Sequence, residues 1–295
     1  MLSPDTDAQL THAGLDPEHV TALITAVLDE DLQWGEDVTT LATIPADQRC
    51  VAEVVARQDG VLAGVPVARA VAEIAAARDG SAVTVTDVLQ DGDAVQPGSV
   101  VLRVEGRTQL VLTMERTLLN LLCQLSGVAS ATAAWVRALT GTGTRVRDTR
   151  KTQPLLRVLQ KYAVRCGGGV NHRMGLGDAA LIKDNHIEAA GSITAAFQAI
   201  STHARDLPIE VECDTVAQVS EAIDAGASLI LLDNMSPTQV AECLELTTPA
   251  GVATELSGGL TLDTIGDYSG LAVDYVAVGA LTHSATVLDL GLDFR

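Results

Sequence analysis

Six short β-like runs along this chain each stop at residues able to do chemistry. Arg145–Arg147 leads into Asp148-Thr149-Arg150-Lys151, and Ala180–Ile182 into Lys183-Asp184-Asn185-His186. Ile209–Val211 stops at Glu212, and Leu229–Leu232 at Asp233-Asn234. Val252–Thr254 stops at Glu255 and then Ser257-Gly258-Gly259, and Val273–Val278 at Gly279. Three kinds of chemistry are represented. Arg150, Lys151, His172, Arg173 and Lys183 suit anion binding, since guanidinium makes planar bidentate contacts and ammonium is a compact point charge. Glu212 and Asp233 suit Mg2+, which takes one or two carboxylates together with substrate phosphates. An ion pair with the basic cluster is the competing reading for both acids, and the two readings are compatible. Glu210 shares a strand face with Glu212, because the strand period is two. Ser257-Gly258-Gly259 and Gly279 precede helices, where exposed N–H groups attract phosphate, with an ordinary turn as the alternative. Cys166-Gly167-Gly168-Gly169 predicts close approach of backbone to a ligand, against a merely flexible loop.

The charge is distributed to match. All three lysines (Lys151, Lys161, Lys183) fall in the window 137–183, which holds ten of the 19 basic residues and two acids, a local net of +8 in a chain of −19. Like charges at that density repel, so a site for a polyanionic small molecule is the expected reason; Arg157 and Arg165 read instead as solvated helix-face charges. The overall negative charge argues against nucleic acid and anionic membrane as partners. Five widely spaced cysteines without a CxxC pair predict reduced thiols and a cytoplasmic setting. There is no leader-like N-terminus and no apolar run of 18 residues, so no membrane span is expected. No cysteine has an evident base beside it, and His172 and His186 lack zinc spacing. A Schiff-base role for Lys183 is conceivable, but its basic surroundings fit a polyanion better.

Positioning elements are legible along the chain. Asp16-Pro17-Glu18 opens a helix carrying Val20, Leu23, Ile24, Val27 and Leu28. Cys50–Arg57 alternates as a strand, Ala68–Arg78 reads as a helix, and Ala82–Leu89 and Ser99–Glu105 read as strands around Asp91-Gly92-Asp93. Gln109–Leu125 is a helix, and a second, Ser130–Leu139, is expected after the Ser126-Gly127 break. The six short runs then alternate with helices at Pro154–Val164, Ile187–His203, Val216–Ala225 and Pro237–Leu246. This pattern predicts α/β, with parallel strands in a barrel or a doubly wound sheet. In barrels the C-terminal strand ends carry the active site, so polar residues at five or six such ends predict an enzyme.

Several runs carry a resemblance. Asp148–Thr152 (DTRKT), Lys161–Gly169 (KYAVRCGGG), Asn171–Gly175 (NHRMG), Leu181–Ile187 (LIKDNHI), Leu231–Asn234 (LLDN) and Ser257–Gly259 (SGG) occur in the order seen in quinolinate phosphoribosyltransferases. Glu115–Asn120, Leu125–Gly127, Glu210–Glu212 and Val278–Ser284 also fit, and the resemblance runs from about residue 29 to the C-terminus. It implies an N-terminal α/β (α+β) sandwich over 1–125 and an incomplete parallel α/β barrel over 126–284, with the tail 285–295 packing back on the first domain. It implies transfer of phosphoribose from phosphoribosyl pyrophosphate (PRPP) to quinolinate with Mg2+, giving nicotinate mononucleotide, pyrophosphate and CO2 in NAD synthesis. The two substrates together carry roughly six or seven negative charges, which suits the basic window. By the resemblance, Arg150, His172 and Arg173 clamp the quinolinate carboxylates with Lys183 nearby. Arg116 comes from the partner of a homodimer, itself able to assemble further. Lys151 contacts PRPP, Glu212 and Asp233 bind Mg2+ and the ribose hydroxyls, and Ser257, Gly258, Gly259 and Gly279 hold the 5-phosphate. Lys151, Glu212 and Asp233 are the expected catalytic residues. Departures are Cys123-Gln124 in place of Gln-Arg, Leu155 in place of Gly, and Leu256 where a smaller residue is commoner. The alternatives are a phosphoribosyltransferase of the same fold acting on another base, including nicotinate, a molybdenum-linked paralogue, or a non-catalytic polyanion-binding module. Paired Arg150 and Arg173, with His172, favour a dicarboxylate over a monocarboxylate.

Overall fold

In the computed structural model, which describes residues 2–295, the chain begins α1 (Pro4–His12), α2 (Pro17–Leu32), α3 (Val38–Thr43), β1 (Arg49–Ala56), β2 (Gly60–Val61), α4 (Val65–Asp79), β3 (Thr84–Asp87), β4 (Ala94–Val95), β5 (Val100–Arg107) and α5 (Thr108–Ala138). It continues β6 (Arg145–Arg147), α6 (Arg157–Cys166), β7 (Ala180–Ile182), α7 (Asp184–Ala190), α8 (Ile193–His203), β8 (Ile209–Cys213), α9 (Val216–Ala225), β9 (Leu229–Asp233), α10 (Pro237–Ala250), β10 (Ala253–Ser257), β11 (Tyr275–Ala277), α11 (Ala280–His283) and β12 (Leu290–Phe294). Two units form. The first is 1–133, 158–168 and 285–295; the second is 134–157 and 169–284. The division thus falls inside α5 and assigns most of α6 to the first unit.

The first unit is built on an antiparallel sheet in the order β12-β1-β5-β3. Alternation along β5 buries Leu102, Val104 and Gly106, with Val101 buried as well, while Ile24 and Leu28 of α2 and Val67, Val71 and Ile74 of α4 supply the helical side of the core. Asp16 caps α2 through the Glu18 N–H at 2.9 Å, as its spacing predicts. The Ser126-Gly127 pair does not break the chain: α5 runs unbroken for 31 residues. Here Gly127 serves close packing, because a Cβ there would lie 2.3 Å from the Thr286 carbonyl oxygen. The Ser126 hydroxyl is spent on the backbone of Ala63. Although no uninterrupted apolar run of 18 exists, α5 is long and apolar enough to cross a membrane, with mean hydropathy 1.3 over its most apolar stretch. That stretch is 61% buried inside the protein, which makes α5 a core helix.

The second unit is an open α/β barrel. Its six parallel strands run β6-β11-β10-β9-β8-β7, and the edge strands β6 and β7 do not pair with each other. Apolar residues such as Ile182, Val211, Ile230, Leu232 and Val276 fill the strands, as parallel sheets covered on both faces require. Capping boxes at Thr215/Gln218 and Ser236/Gln239 start α9 and α10. The single helix expected over Ile187–His203 is two, because Gly191 stops α7 with a φ of 92° and Ser192 caps α8. The helix expected from Pro154 begins at Arg157, after Leu155 adopts a φ of 63°. A left-handed backbone explains why glycine is the expected residue at position 155.

Candidate active site

The strand ends of the second unit surround a cleft of about 380 Å³. Arg150 and Lys151 enter it from the loop after β6, and His172 and Arg173 from the segment before β7. Lys183 follows β7, Glu212 lies on β8, Asp233 ends β9, and Ser257 ends β10. Eight of the twelve residues expected at the site therefore line one cleft. The glycines stand beside it. A Cβ on Gly279 would lie 3.0 Å from the Lys151 side chain. Gly258, at φ 96°, leaves no room for a Cβ, which would sit 2.3 Å from Asn234 Oδ1, so glycine is obligatory there. Gly259 follows at φ 58°. Arg116 lies on α5 of the first unit, exposed and paired with Glu115 at 2.5 Å.

Several details fix the lining. Lys183 Nζ pairs with Glu212. Asn234 Nδ2 donates to Asp233 at 2.6 Å and its backbone N–H to the Ser257 carbonyl at 3.0 Å, so neighbouring strand ends are tied together. Thr282 donates to the Lys151 carbonyl at 2.9 Å. Burial, and next the nearby Arg150 guanidinium, hold the Arg173 pKa below the usual arginine range. Two cations kept together against their repulsion make a site prepared for an anion. Glu212 and Asp233 are hard oxygen donors at the ends of paired strands, and this donor set fits Mg2+ shared with substrate phosphates.

The basic window divides in the fold. Four of its ten cations (Arg150, Lys151, Arg173, Lys183) line the cleft. Lys161 is fully buried in α6, Arg165 donates to the Ala13 carbonyl at 2.6 Å, and Arg145 stacks on Tyr275. Arg157 donates to Thr152 and the Met174 carbonyl, and is thus not merely solvated. The glycine run after Cys166 does not approach a ligand through Gly167. A Cβ on that residue would meet the Ala129 carbonyl at 2.4 Å, so the glycine serves packing on α5.

Beneath the mouth lies a charged layer that strand-end reading passes over. Arg147 of β6, Glu255 of β10 and Glu210 of β8 come from alternate strands of the sheet, as a barrel layer should. Glu255 has no exposed surface and Glu210 is 4% exposed. Arg147 donates to Glu255 and packs over Tyr275, with 4.3 Å between the guanidinium carbon and the ring centroid. His172 Nε2 lies 2.8 Å from Glu210 and 3.6 Å from Glu255. Burial, and next the charge of Glu210, push the Glu255 pKa up to about 7. The ligand atoms of His172, Glu210 and Glu255 all lie within 4.8 Å of one another, and Arg147 already supplies a cation beside them. The signal for this layer was the spacing of two in Arg145/Arg147, Glu210/Glu212 and Glu255/Ser257, which places charge on inward strand faces.

Two family models cover nearly the whole chain. The quinolinate phosphoribosyl transferase N-terminal domain matches residues 37–126 and the C-terminal domain residues 128–293. Among curated proteins, nicotinate-nucleotide pyrophosphorylase [carboxylating] of Mycobacterium leprae is 49% identical over 273 residues, covering 92% of this chain and 95% of that protein. The Bacillus subtilis protein named probable nicotinate-nucleotide pyrophosphorylase [carboxylating] is 42% identical, over 90% of this chain and 89% of its own. The crystal structure of NadC from Streptococcus pyogenes superposes with a TM-score of 0.88 at 40% identity, over 95% of this chain and 99% of that one. The chain belongs to the quinolinate phosphoribosyl transferase family.

Proposed function

We propose that the mouth of the second unit joins quinolinate to PRPP and releases pyrophosphate and CO2, forming nicotinate mononucleotide. The observation that carries this reading is the convergence of Arg150, Arg173 and Lys183 with Glu212 and Asp233 in one cleft. A dicarboxylate needs paired cations, and a diphosphate with a reacting ribose needs anions and a metal close by. Arg150 and Arg173 grip the quinolinate carboxylates, Lys151 reaches the pyrophosphate, and the Ser257-Gly258-Gly259 turn with Gly279 holds the 5-phosphate through backbone N–H groups. Glu212 and Asp233 hold Mg2+, which, when bound, neutralises pyrophosphate charge. Lys183, paired with Glu212 here, exchanges that partner for a carboxylate when quinolinate arrives.

The reaction asks for positioned charge more than for proton transfer. The pyridine nitrogen attacks ribose C1 and the C1–O bond to pyrophosphate breaks, with positive charge developing on the sugar. The carboxylates of Glu212 and Asp233 stabilise that charge without reorganising. The pyridinium so formed takes up the electron pair as the bond from C2 to its carboxylate breaks, and a proton from water replaces CO2 at C2. Orienting the nitrogen against C1 supplies much of the acceleration.

We further infer a homodimer in which Arg116 completes the partner's site. In support, Arg116 is exposed, and its paired acid is its own neighbour Glu115. A cytoplasmic setting is inferred from the five widely spaced cysteines without a CxxC pair. The test of the activity is release of labelled CO2 from quinolinate carrying the label in its 2-carboxyl. Release that needs both PRPP and Mg2+ is expected; no release with both present refutes the reading.

A further inference from the structure

The family reading places His172 among the groups that clamp a carboxylate. The hydrogen bonds around it point elsewhere. The backbone N–H of Arg173 donates to His172 Nδ1 at 2.7 Å, so that nitrogen carries a lone pair. The other nitrogen, Nε2, lies 2.8 Å from Glu210 Oε2, an acceptor, so it carries the proton. Both ring nitrogens are spent inside the protein. The backbone on either side is held as well. The His172 N–H donates to Asp148 Oδ1 at 2.9 Å, and Asn171 Nδ2 to Asp148 Oδ2 at 2.5 Å. Asp148 itself has no exposed surface. Downstream, Arg173 Nη1 donates to the Ala179 carbonyl at 3.0 Å.

We propose that Glu210, with Glu255 and Arg147 behind it, is a positioning residue that fixes His172 as its Nε2–H tautomer, so that His172 orients the Arg173 backbone and donates nothing to the substrate. Turning Nε2 toward a substrate carboxylate would break the Glu210 bond. That would leave Glu210 without its partner in a buried place beside Glu255, where an uncompensated carboxylate is costly. Turning Nδ1 toward substrate would orphan the Arg173 N–H. The ring therefore works as a strut between the charged layer and the segment that presents Arg173. Glu210 sets the tautomer in the way a carboxylate behind a metal-bound histidine does. Arg147 holds Glu255 by its other oxygen, and the oxygen that faces Nε2 stays 3.6 Å away, beyond hydrogen-bond reach.

The test has two arms; the ligand-free spectrum stands apart from the quinolinate reading of the cleft, while the addition of quinolinate and the kinetic arm rest on it. In the ligand-free full chain labelled with 15N-histidine, a multiple-bond 1H–15N spectrum reads the tautomer directly, with His172 assigned by its loss in His172→Gln. We expect the Nε2–H pattern at neutral pH, unchanged on adding quinolinate. An Nδ1–H or doubly protonated pattern, or a tautomer switch on adding quinolinate, overturns the proposal. In the kinetic arm, Glu210→Gln is expected to raise the quinolinate KM roughly tenfold while the PRPP KM moves by less than about twofold. In a His172→Gln background the same change should add less than about threefold, because both substitutions remove one connection. Losses that multiply would show that Glu210 does not act through His172. If Glu210→Gln fails to fold, the spectrum of the unsubstituted chain still decides. Absence of PRPP-dependent CO2 release would strike the functional reading and leave the tautomer assignment standing.

Discussion

At the scale of single residues, Lys151 makes the sharpest case. It follows the guanidinium of Arg150, its carbonyl is tied to Thr282, and its aliphatic stem runs past Gly279. The glycine is what lets the stem pass. Its side chain is exposed, so the fold gains little from it. In the proposed reaction Lys151 faces the developing pyrophosphate charge, and removing such a cation costs rate without costing stability. Lys151→Ala should therefore lower turnover by more than about tenfold, with the thermal midpoint unchanged within about 2 °C. Turnover near that of the unsubstituted chain would remove Lys151 from the mechanism. The strand-end residues could be read from sequence because a short apolar run that stops at a charge marks both a strand and its mouth. His172 could be placed but not understood. Its role depends on which nitrogen faces Glu210, and that is decided by backbone geometry between Asp148 and Ala179 that no spacing rule encodes.

At the scale of elements, the first unit is pinned by an acid unconnected with the reaction. Asp91, in the turn before β4, accepts from the Val65 N–H at 2.9 Å where α4 begins, and from the Tyr162 hydroxyl of α6. Burial pushes its pKa up to about 6. The folded state thus holds this proton more tightly than the unfolded chain does. Its contribution is fully present below the ordinary carboxyl range near 4. It is lost as pH rises through about 6. Asp91→Asn removes that dependence while keeping an oxygen for Val65. Relative to the unsubstituted chain, Asp91→Asn should gain stability between pH 4 and 7, by on the order of 2–3 kcal/mol. Denaturant unfolding at several pH values reads the difference; a gap that stays constant with pH refutes it. The elements themselves were legible where caps and periodicity agreed, as for α2, α9 and α10. They were misread where a small residue serves contact instead of a turn. Gly127 and Gly167 both look like breaks, and both exist because a carbonyl from another segment lies where a Cβ would be.

At the scale of the whole molecule, the sequence shows a small cationic segment in an anionic chain, and the fold sorts that segment by function. Four of the ten cations reach the cleft, while others neutralise buried acids, stack on Tyr275 or bind backbone. Charge density thus pointed to the candidate cleft without identifying which cations line it. What one chain does not reveal is which residues act on a partner's substrate. Arg116 belongs to the first unit and Lys151 to the second, and the proposed homodimer sets the one against the other across two chains. This makes a quantitative prediction. Arg116→Ala and Lys151→Ala homodimers should each be nearly inactive. In a mixed dimer, one site receives both defects and the other receives neither. With random exchange half of the dimers are mixed, so an equimolar mixture should recover about a quarter of the unsubstituted activity. If Arg116 served its own chain, every site in the mixture would carry one defect, and no activity would return after exchange that mass spectrometry shows to be complete.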